Sequence, residues 1–404
     1  MRLSILFILF SFFLNMPLYA VSDPFKTQFS DKPEHAVLII VDGLSYKAWE
    51  KMHLNVMEEM INSGSLIEQT FLPPAAHPIT GSYAELHTCS IPNPIMMSGA
   101  IFITKTTKYL QESFPPEKIT AFVTNSSAYL TISQKYNHVY QVDGKDDDAI
   151  VNAVRIMKDF KPAFMRIHMQ DTGGAGTQSM ETKKNVEWKW NIWADNSPYR
   201  KSLTHADSLL GSFISELEKA NVIDKTVIII TGDHGQNDTG WHPLEFYDSS
   251  VTTTIFWGAG IKKNVRVPYG ELIDIVPTIC TLMDVKPPAT SQGRIFYETL
   301  SNYKGIVSPR KYNIRELNEQ LIQYRKKKVE AQYLIENLQT GERGRYYLVL
   351  NREIIERFYD ISKFSEWPRF KSIEELLENN NAVKKKLDEL LAELKPNTQP
   401  GDKK

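Results

Sequence analysis

The chain has 404 residues, of which 42% are hydrophobic, and a formal net charge of -1. That is enough apolar material for one large domain or two ordinary ones. A near-neutral balance with no basic stripe of interleaved aromatics excludes a general nucleic-acid binder, so any affinity for anions has to be built locally.

Residues 1–20 begin with Arg2, continue through an apolar stretch from Ile5 to Leu14, and reach Pro17 and Ala20. This is the layout of a secretory signal, with an apolar run too short for a comfortable bilayer span. A secreted or periplasmic protein is expected, with an uncleaved membrane anchor as the alternative. No later stretch approaches about 18 uninterrupted apolar residues, so no further span is expected. Two cysteines follow, Cys89 and Cys280. In an oxidising compartment they could pair; the preferred reading is two small apolar core residues.

After a linker over 21–34 comes a strand, His35–Val41, that ends in Asp42-Gly43. Residues 45–62 carry a helical pattern, with Ala48, Met52, Leu54, Met57 and Ile61 on or near one face. A proline-rich loop at 72–78 leads to Thr88-Cys89-Ser90-Ile91-Pro92-Asn93. A short helix over 95–102 is then expected, with Pro92 in its first turn. Further strands are expected at 119–123, 163–169, 226–230 and 251–257, and helices at 147–159, 207–220 and 272–283. Strands alternating with helices predict an α/β fold, a mostly parallel sheet flanked by helices whose ligand side is the strands' carboxyl ends. From about residue 301 the character changes. A charged helix at 315–329, paired strands at 346–350 and 354–359, and an amphipathic helix at 372–394 suggest a small α+β extension, with a disordered tail from 397. The expected division is a signal at 1–20, a core at 34–300 and a C-terminal subdomain at 301–404.

The most informative segment is Val227 to Gly235, V-I-I-I-T-G-D-H-G, an apolar strand that stops in Asp233 and His234. Two other predicted strands also end in an acid, at Asp42 and Asp171. Parallel strands deliver their carboxyl ends to one edge, so these carboxylates converge, and like charges in one cleft repel unless a cation holds them. Asp with His suits zinc, whereas an all-oxygen cluster would suit magnesium or calcium. His242 precedes the strand at 251–257 and could reach the same edge. Ser90, just ahead of Pro92 at a helix start, is the candidate nucleophile, favoured by the helix dipole and by a metal touching its oxygen. An ordinary N-cap serine is the alternative.

The order Asp42, Ser90-Ile91-Pro92-Asn93, Asp171, Asp233-His234-Gly235 and His242 resembles the alkaline phosphatase superfamily, above all its type I phosphodiesterase or nucleotide pyrophosphatase branch and its sulfatases. The stretch 254–260, Asp274-Ile275-Val276-Pro277-Thr278 and Gly293-Arg294 are similar to the closing part of that fold. Arg357 to Ile361, followed by an amphipathic helix, is similar to the sulfatase tail. The resemblance implies an alkaline-phosphatase-like fold and two metal ions, usually zinc, or a single calcium in sulfatases. One ion would be held by Asp42, Asp233, His234 and the Ser90 oxygen, the other by Asp171 and His242; Mn2+ or Mg2+ are further possibilities. Ser90 would be phosphorylated transiently and released by water.

The sequence departs from that pattern twice. Phosphodiesterases have Asp-x-x-x-His, but four residues after Asp171 stands Ala175; Thr177, His168 or a water could substitute, or one metal could suffice. Sulfatases have an Arg where Pro94 stands, and Cys89 is one place out of register, which disfavours a formylglycine enzyme. Thr88 is the second-choice nucleophile, because the gap from Ser90 to Ser98-Gly99 is one residue short. Asn93, Lys105 and Lys108 are candidate substrate contacts. The tryptophan-rich segment 188–199 could cap the cleft or simply pack on its own domain. The expected function is an exported metal-dependent hydrolase of phosphoric esters, of lipid or nucleotide type, diesters ahead of monoesters. A sulfatase, phosphonate hydrolase or headgroup transferase, and a degraded binding scaffold, are the alternatives.

Overall fold

The computed structural model describes residues 25, 27–72, 86–90, 108–243, 246–307 and 311–397. The expected signal at 1–20, the helix at 95–102, Asn93, Pro94 and Lys105, and the tail from 398 onward lie outside the described residues.

β1 (His35–Val41) is buried along its whole length, because Val37, Ile39 and Val41 face one apolar cluster while Ala36, Leu38 and Ile40 face another. A strand apolar on both faces belongs in the middle of a parallel sheet with helices above and below. The other strands are β2 (Ser65–Phe71), β3 (Thr120–Thr124), β4 (His138–Gln141), β5 (Phe164–Met169), β6 (Thr226–Thr231), β7 (Val251–Gly258) and β8 (Val265–Glu271). They form one eight-stranded sheet in the order β4-β3-β5-β1-β6-β7-β2-β8. Among the described residues β7 runs antiparallel to its neighbours β6 and β2, and the other strand pairings of the sheet are parallel.

On one face, helices Asn55–Ser63, Asp146–Phe160 and Pro198–Lys219 bury Met57, Met60, Ile150, Met157, Leu203, Leu210 and Phe213 against β1 and its neighbours. On the other, helix Ile275–Leu282 packs Val276 and Ile279 beside Phe114, Phe164 and Phe296. Each such side chain contributes roughly 1.5–3 kcal/mol on burial. The helix expected at 45–62 is broken into Ala48–Lys51 and Asn55–Ser63. The second piece begins at Leu54, which offers no side-chain cap. Its first N–H groups are met from another helix instead: Val56 donates to Asp207 Oδ2 at 3.1 Å and Met57 to Oδ1 at 2.8 Å.

The C-terminal extension is helical among the described residues. Helix Asn313–Glu336, helix Thr340–Val349 running on as the π-helical turn Leu350–Ile355, and helix Ile373–Asn397 enclose a separate apolar cluster. The paired strands expected at 346–350 and 354–359 do not form. Tyr346, Leu350 and Ile354 recur every four residues and all face that cluster, so helical periodicity overrides the local aromatic and β-branched content. Asn318 Nδ2 ties the extension to the sheet by donating to the Leu72 carbonyl at 2.9 Å.

Burial pushes the Asp207 carboxyl above its ordinary range even though two N–H groups bond to it. Asp207→Ala should therefore cost about 1–2 kcal/mol in urea denaturation through the lost cap. Asp207→Asn, which keeps an acceptor without a buried charge, should cost less.

Candidate functional site

The strand register assembles the site. Ile40 of β1 lies opposite His168 of β5 and Thr231 of β6, so Asp42 and Asp233, each two residues on, emerge together at the carboxyl edge. Asp42, His168 and Asp233 each offer a ligand atom, and these atoms lie within 4.8 Å of one another. His234 joins them, its Nε2 at 3.6 Å from Asp42 Oδ1 and 3.5 Å from Asp233 Oδ2. All four are buried.

The atoms around these groups are already assigned. Asp233 Oδ1 accepts from the N–H groups of Gly43 and His234, both at 3.1 Å, while its Oδ2 has no hydrogen-bond partner among the described residues. His234 Nδ1 lies 2.8 Å from the Gly235 carbonyl, which fixes the proton on Nδ1. The Nε2 lone pair is therefore left facing the carboxylates, and Nε2 too has no hydrogen-bond partner. A buried imidazole oriented by a carbonyl behind it, with its other nitrogen beside two carboxylates, is a donor set that could hold a divalent cation. Asp42, Asp233 and His234 thus fit the metal that the sequence implies.

Electrostatics point the same way. Burial, followed by the charge of Asp42, holds the Asp233 carboxyl above its ordinary range. Burial would raise Asp42 as well, but the flanking His168 and His234 imidazoles and the Tyr129 hydroxyl outweigh it and keep Asp42 low. Tyr129 donates to Asp42 Oδ2 at 2.8 Å, and its ring stacks on His168 with centroids 3.7 Å apart. Sequence reasoning missed Tyr129 and named His168 only as a substitute. The available signal was a histidine and an arginine inside the otherwise apolar strand Phe164–Met169.

His242 does reach this edge. Because β7 is antiparallel, the segment before it returns to the carboxyl ends of its neighbours, and the His242 ring lies 4.0 Å from that of His234, with the Trp241 ring stacked on it at 4.4 Å. Asp171 behaves differently. The register puts Met169 opposite Val41, so Asp171 has already left the sheet as the first residue of helix Asp171–Glu181. There it exchanges bonds with Asp146: its N–H donates to Asp146 Oδ1 at 3.2 Å, and its Oδ2 accepts from the Asp146 N–H at 3.3 Å. Burial and the Asp171 charge push Asp146 up to about 7. Asp171 therefore stands outside the group formed by Asp42, His168 and Asp233. Thr177 spends its hydroxyl on the Gly173 carbonyl, leaving His168 as the one named substitute within that group.

The two candidate nucleophiles share one hydrogen bond, with Ser90 Oγ 2.7 Å from Thr88 Oγ1. Cys89 between them is left-handed at φ 54°, a turn that brings both hydroxyls together while the thiol enters the apolar cluster. Cys89 and Cys280 are free and buried, with burial pushing both thiols up. The segment 188–199 packs on its own domain: Ile192 N–H and Trp193 Nε1 donate to the backbone and side chain of Asp238, and the Tyr199 hydroxyl holds the Gly43 carbonyl at 2.9 Å.

The fold is that of solved alkaline phosphatase superfamily members, and residues 96–285 match the family model described as Sulfatase. Mouse arylsulfatase K is 31% identical over 109 residues, which is 26% of this chain and 20% of that relative, so the chain spans about a fifth of the length of the curated relatives it matches. Among solved structures, an alkaline phosphatase superfamily protein from Vibrio parahaemolyticus aligns over 69% of this chain and 72% of its own, with a TM-score of 0.51 and 15% identity. A phosphonate monoester hydrolase from Silicibacter pomeroyi aligns over 70% and 82%, with a TM-score of 0.52 and 13% identity. These likenesses establish the fold.

Tyr129→Phe removes one hydroxyl and leaves the stacked ring. It should weaken divalent-cation binding by roughly tenfold in calorimetric titration, with the melting curve little changed. Wild-type affinity would show that Asp42 needs no such support.

Proposed function

We propose that this chain is a metal-dependent hydrolase of anionic esters that attacks through Ser90, with Thr88 as the alternative nucleophile. What carries the reading is the convergence of Asp42, Asp233 and His234 around two orphaned buried ligand atoms at the edge of a superfamily sheet. A divalent cation held there would lower the pKa of a nucleophilic oxygen and offset the charge of the ester's oxygens. His234 keeps its proton on Nδ1 and its lone pair on Nε2; Tyr129 and the Gly43 N–H hold the carboxylates in place. Ser90 Oγ, paired with Thr88 Oγ1, forms the bond to phosphorus or sulfur as the ester's alcohol departs. Water then cleaves the enzyme ester and regenerates the hydroxyl.

Phosphoric esters are the first substrate class, because the nucleophile is a hydroxyl and Cys89 is sequestered in apolar packing. Sulfate esters are the second reading, favoured by the Sulfatase match and by arylsulfatase K, and they have at least equal support from those likenesses. Zinc, manganese, magnesium and calcium all remain candidates for the cation. Export follows from the expected signal at 1–20; among the described residues no helix is long and apolar enough to cross a membrane.

Aryl phosphate, bis-aryl phosphate, aryl phosphonate and aryl sulfate assayed side by side should identify one preferred class, with turnover abolished by chelation and restored by metal. Ser90→Ala should lower that turnover on the order of 10³-fold or more. Undiminished turnover in both Ser90→Ala and Thr88→Ala would refute a hydroxyl nucleophile. Purified protein holding well under one ion per chain, with no turnover, would point to a degraded binding scaffold.

A further inference from the structure

Three of the four consecutive residues Asp233-His234-Gly235-Gln236 present a buried polar atom with no hydrogen-bond partner among the described residues: Asp233 Oδ2, His234 Nε2, and both Oε1 and Nε2 of Gln236. The first two face the cation site. Gln236 is 1% exposed, and a buried amide left unbonded costs about 1–3 kcal/mol for each group, so its burial calls for a ligand.

The amide is lodged against a wall of glycines. A Cβ on Gly43 would stand 3.0 Å from Gln236 Oε1 and 3.4 Å from the Gly173 Cα, and a Cβ on Gly176 would overlap Gln236 Nε2. A Cβ on Gly173 would overlap Asp42 Oδ1. The side chains of Asp42 and Gln236 therefore occupy adjoining notches in the same face of helix Asp171–Glu181, which the missing β-carbons open. The two ends of the amide are sorted: Nε2 lies toward the helix at Gly176, and Oε1 toward Gly43, the residue that follows Asp42 and whose N–H holds Asp233.

We propose that Gln236 Oε1 is a further protein ligand of the divalent cation held by Asp42, Asp233 and His234, a role that rests on the cation site of the preceding section. The donor set then has oxygens from Asp42, Asp233 and Gln236 and one nitrogen from His234. A set so rich in oxygen, with a neutral carbonyl among them, favours Mn2+ or Ca2+ over Zn2+. Asp233-His234-Gly235-Gln236 becomes one continuous ligand-bearing turn, and the site is completed from β6 rather than from the position of Ala175.

The test is titration of the chelator-stripped full chain with Mn2+ and with Ca2+, read by calorimetry and by protection against thermal unfolding. Gln236→Leu should weaken binding of both ions by roughly 10–100-fold. Gln236→Glu, which keeps an oxygen and adds charge, should bind at least as tightly as wild type. Gly176→Ala gives an independent check: alanine favours a helix over glycine by about 0.5–1 kcal/mol, yet its methyl displaces the amide, so cation affinity should fall while the metal-free melting temperature does not. Wild-type affinity in both Gln236→Leu and Gly176→Ala overturns the assignment. If wild type itself binds neither ion, the cation site fails as well, which separates that failure from the failure of Gln236 alone.

Discussion

Two carboxylates, Asp42 and Asp233, are forced together in a buried place by strand pairing, and much of the surrounding structure deals with their repulsion. Their ligand atoms lie within 4.8 Å, and at an effective dielectric near 20 two full charges at that distance repel by roughly 3 kcal/mol. The chain offsets part of this. The Gly43 and His234 N–H groups and the Tyr129 hydroxyl donate to the carboxylates, and the imidazoles of His168 and His234 flank them. These contacts leave the inward-facing Oδ2 of Asp233 and Nε2 of His234 unspent. A fold that only needed neutralisation could have spent them on an arginine, and atoms left open in this way are what the proposed cation would use.

The same demand explains the helix that follows β5. Gly173, Gly174 and Gly176 lower the intrinsic helix propensity of Asp171–Glu181. The missing side chains of Gly173 and Gly176 are what let that helix close over Asp42 and Gln236, whereas a Cβ on Gly174 would meet nothing. Local stability is given up where close approach is needed, and the capping exchange between Asp146 and Asp171 at the helix starts restores some of it. Asp171 is therefore explained as a capping partner before any metal is invoked.

How much of this the sequence revealed depends on whether local pattern and tertiary role agree. β1, β5, β6 and β7 are buried apolar runs and could be read directly. β2 could not, because a register shift between Ile67 and Thr70 breaks its alternation, and β8 carries Pro268, tolerated only because β8 is an edge strand. β4 is four residues long and half exposed. At the candidate site, Asp42, Asp233 and His234 stand out in the sequence because a polar residue ending an apolar strand has few structural uses. Tyr129 does not, since it comes from a 3-10 turn whose neighbours carry no signal and meets Asp42 only through tertiary packing. Asp171, singled out by the same rule, starts helix Asp171–Glu181 and exchanges capping bonds with Asp146.

The nucleophile segment shows how one backbone choice bears on chemistry. A non-glycine residue at φ 54° is uncommon, and here it is Cys89. In this turn the Thr88 and Ser90 hydroxyls meet at 2.7 Å while the Cys89 side chain enters the apolar cluster. Its cost is met by burial of Cys89 among apolar side chains and by two bonds from the loop beyond helix Ile275–Leu282: Gln292 N–H to the Cys89 carbonyl at 2.7 Å and Thr290 Oγ1 to the Thr88 carbonyl at 2.8 Å. The hydroxyls are thereby held together and the thiol is held away from them. The arrangement fits a hydroxyl-based esterase, and it is why a likeness to sulfatases in fold does not by itself carry over a cysteine-derived nucleophile.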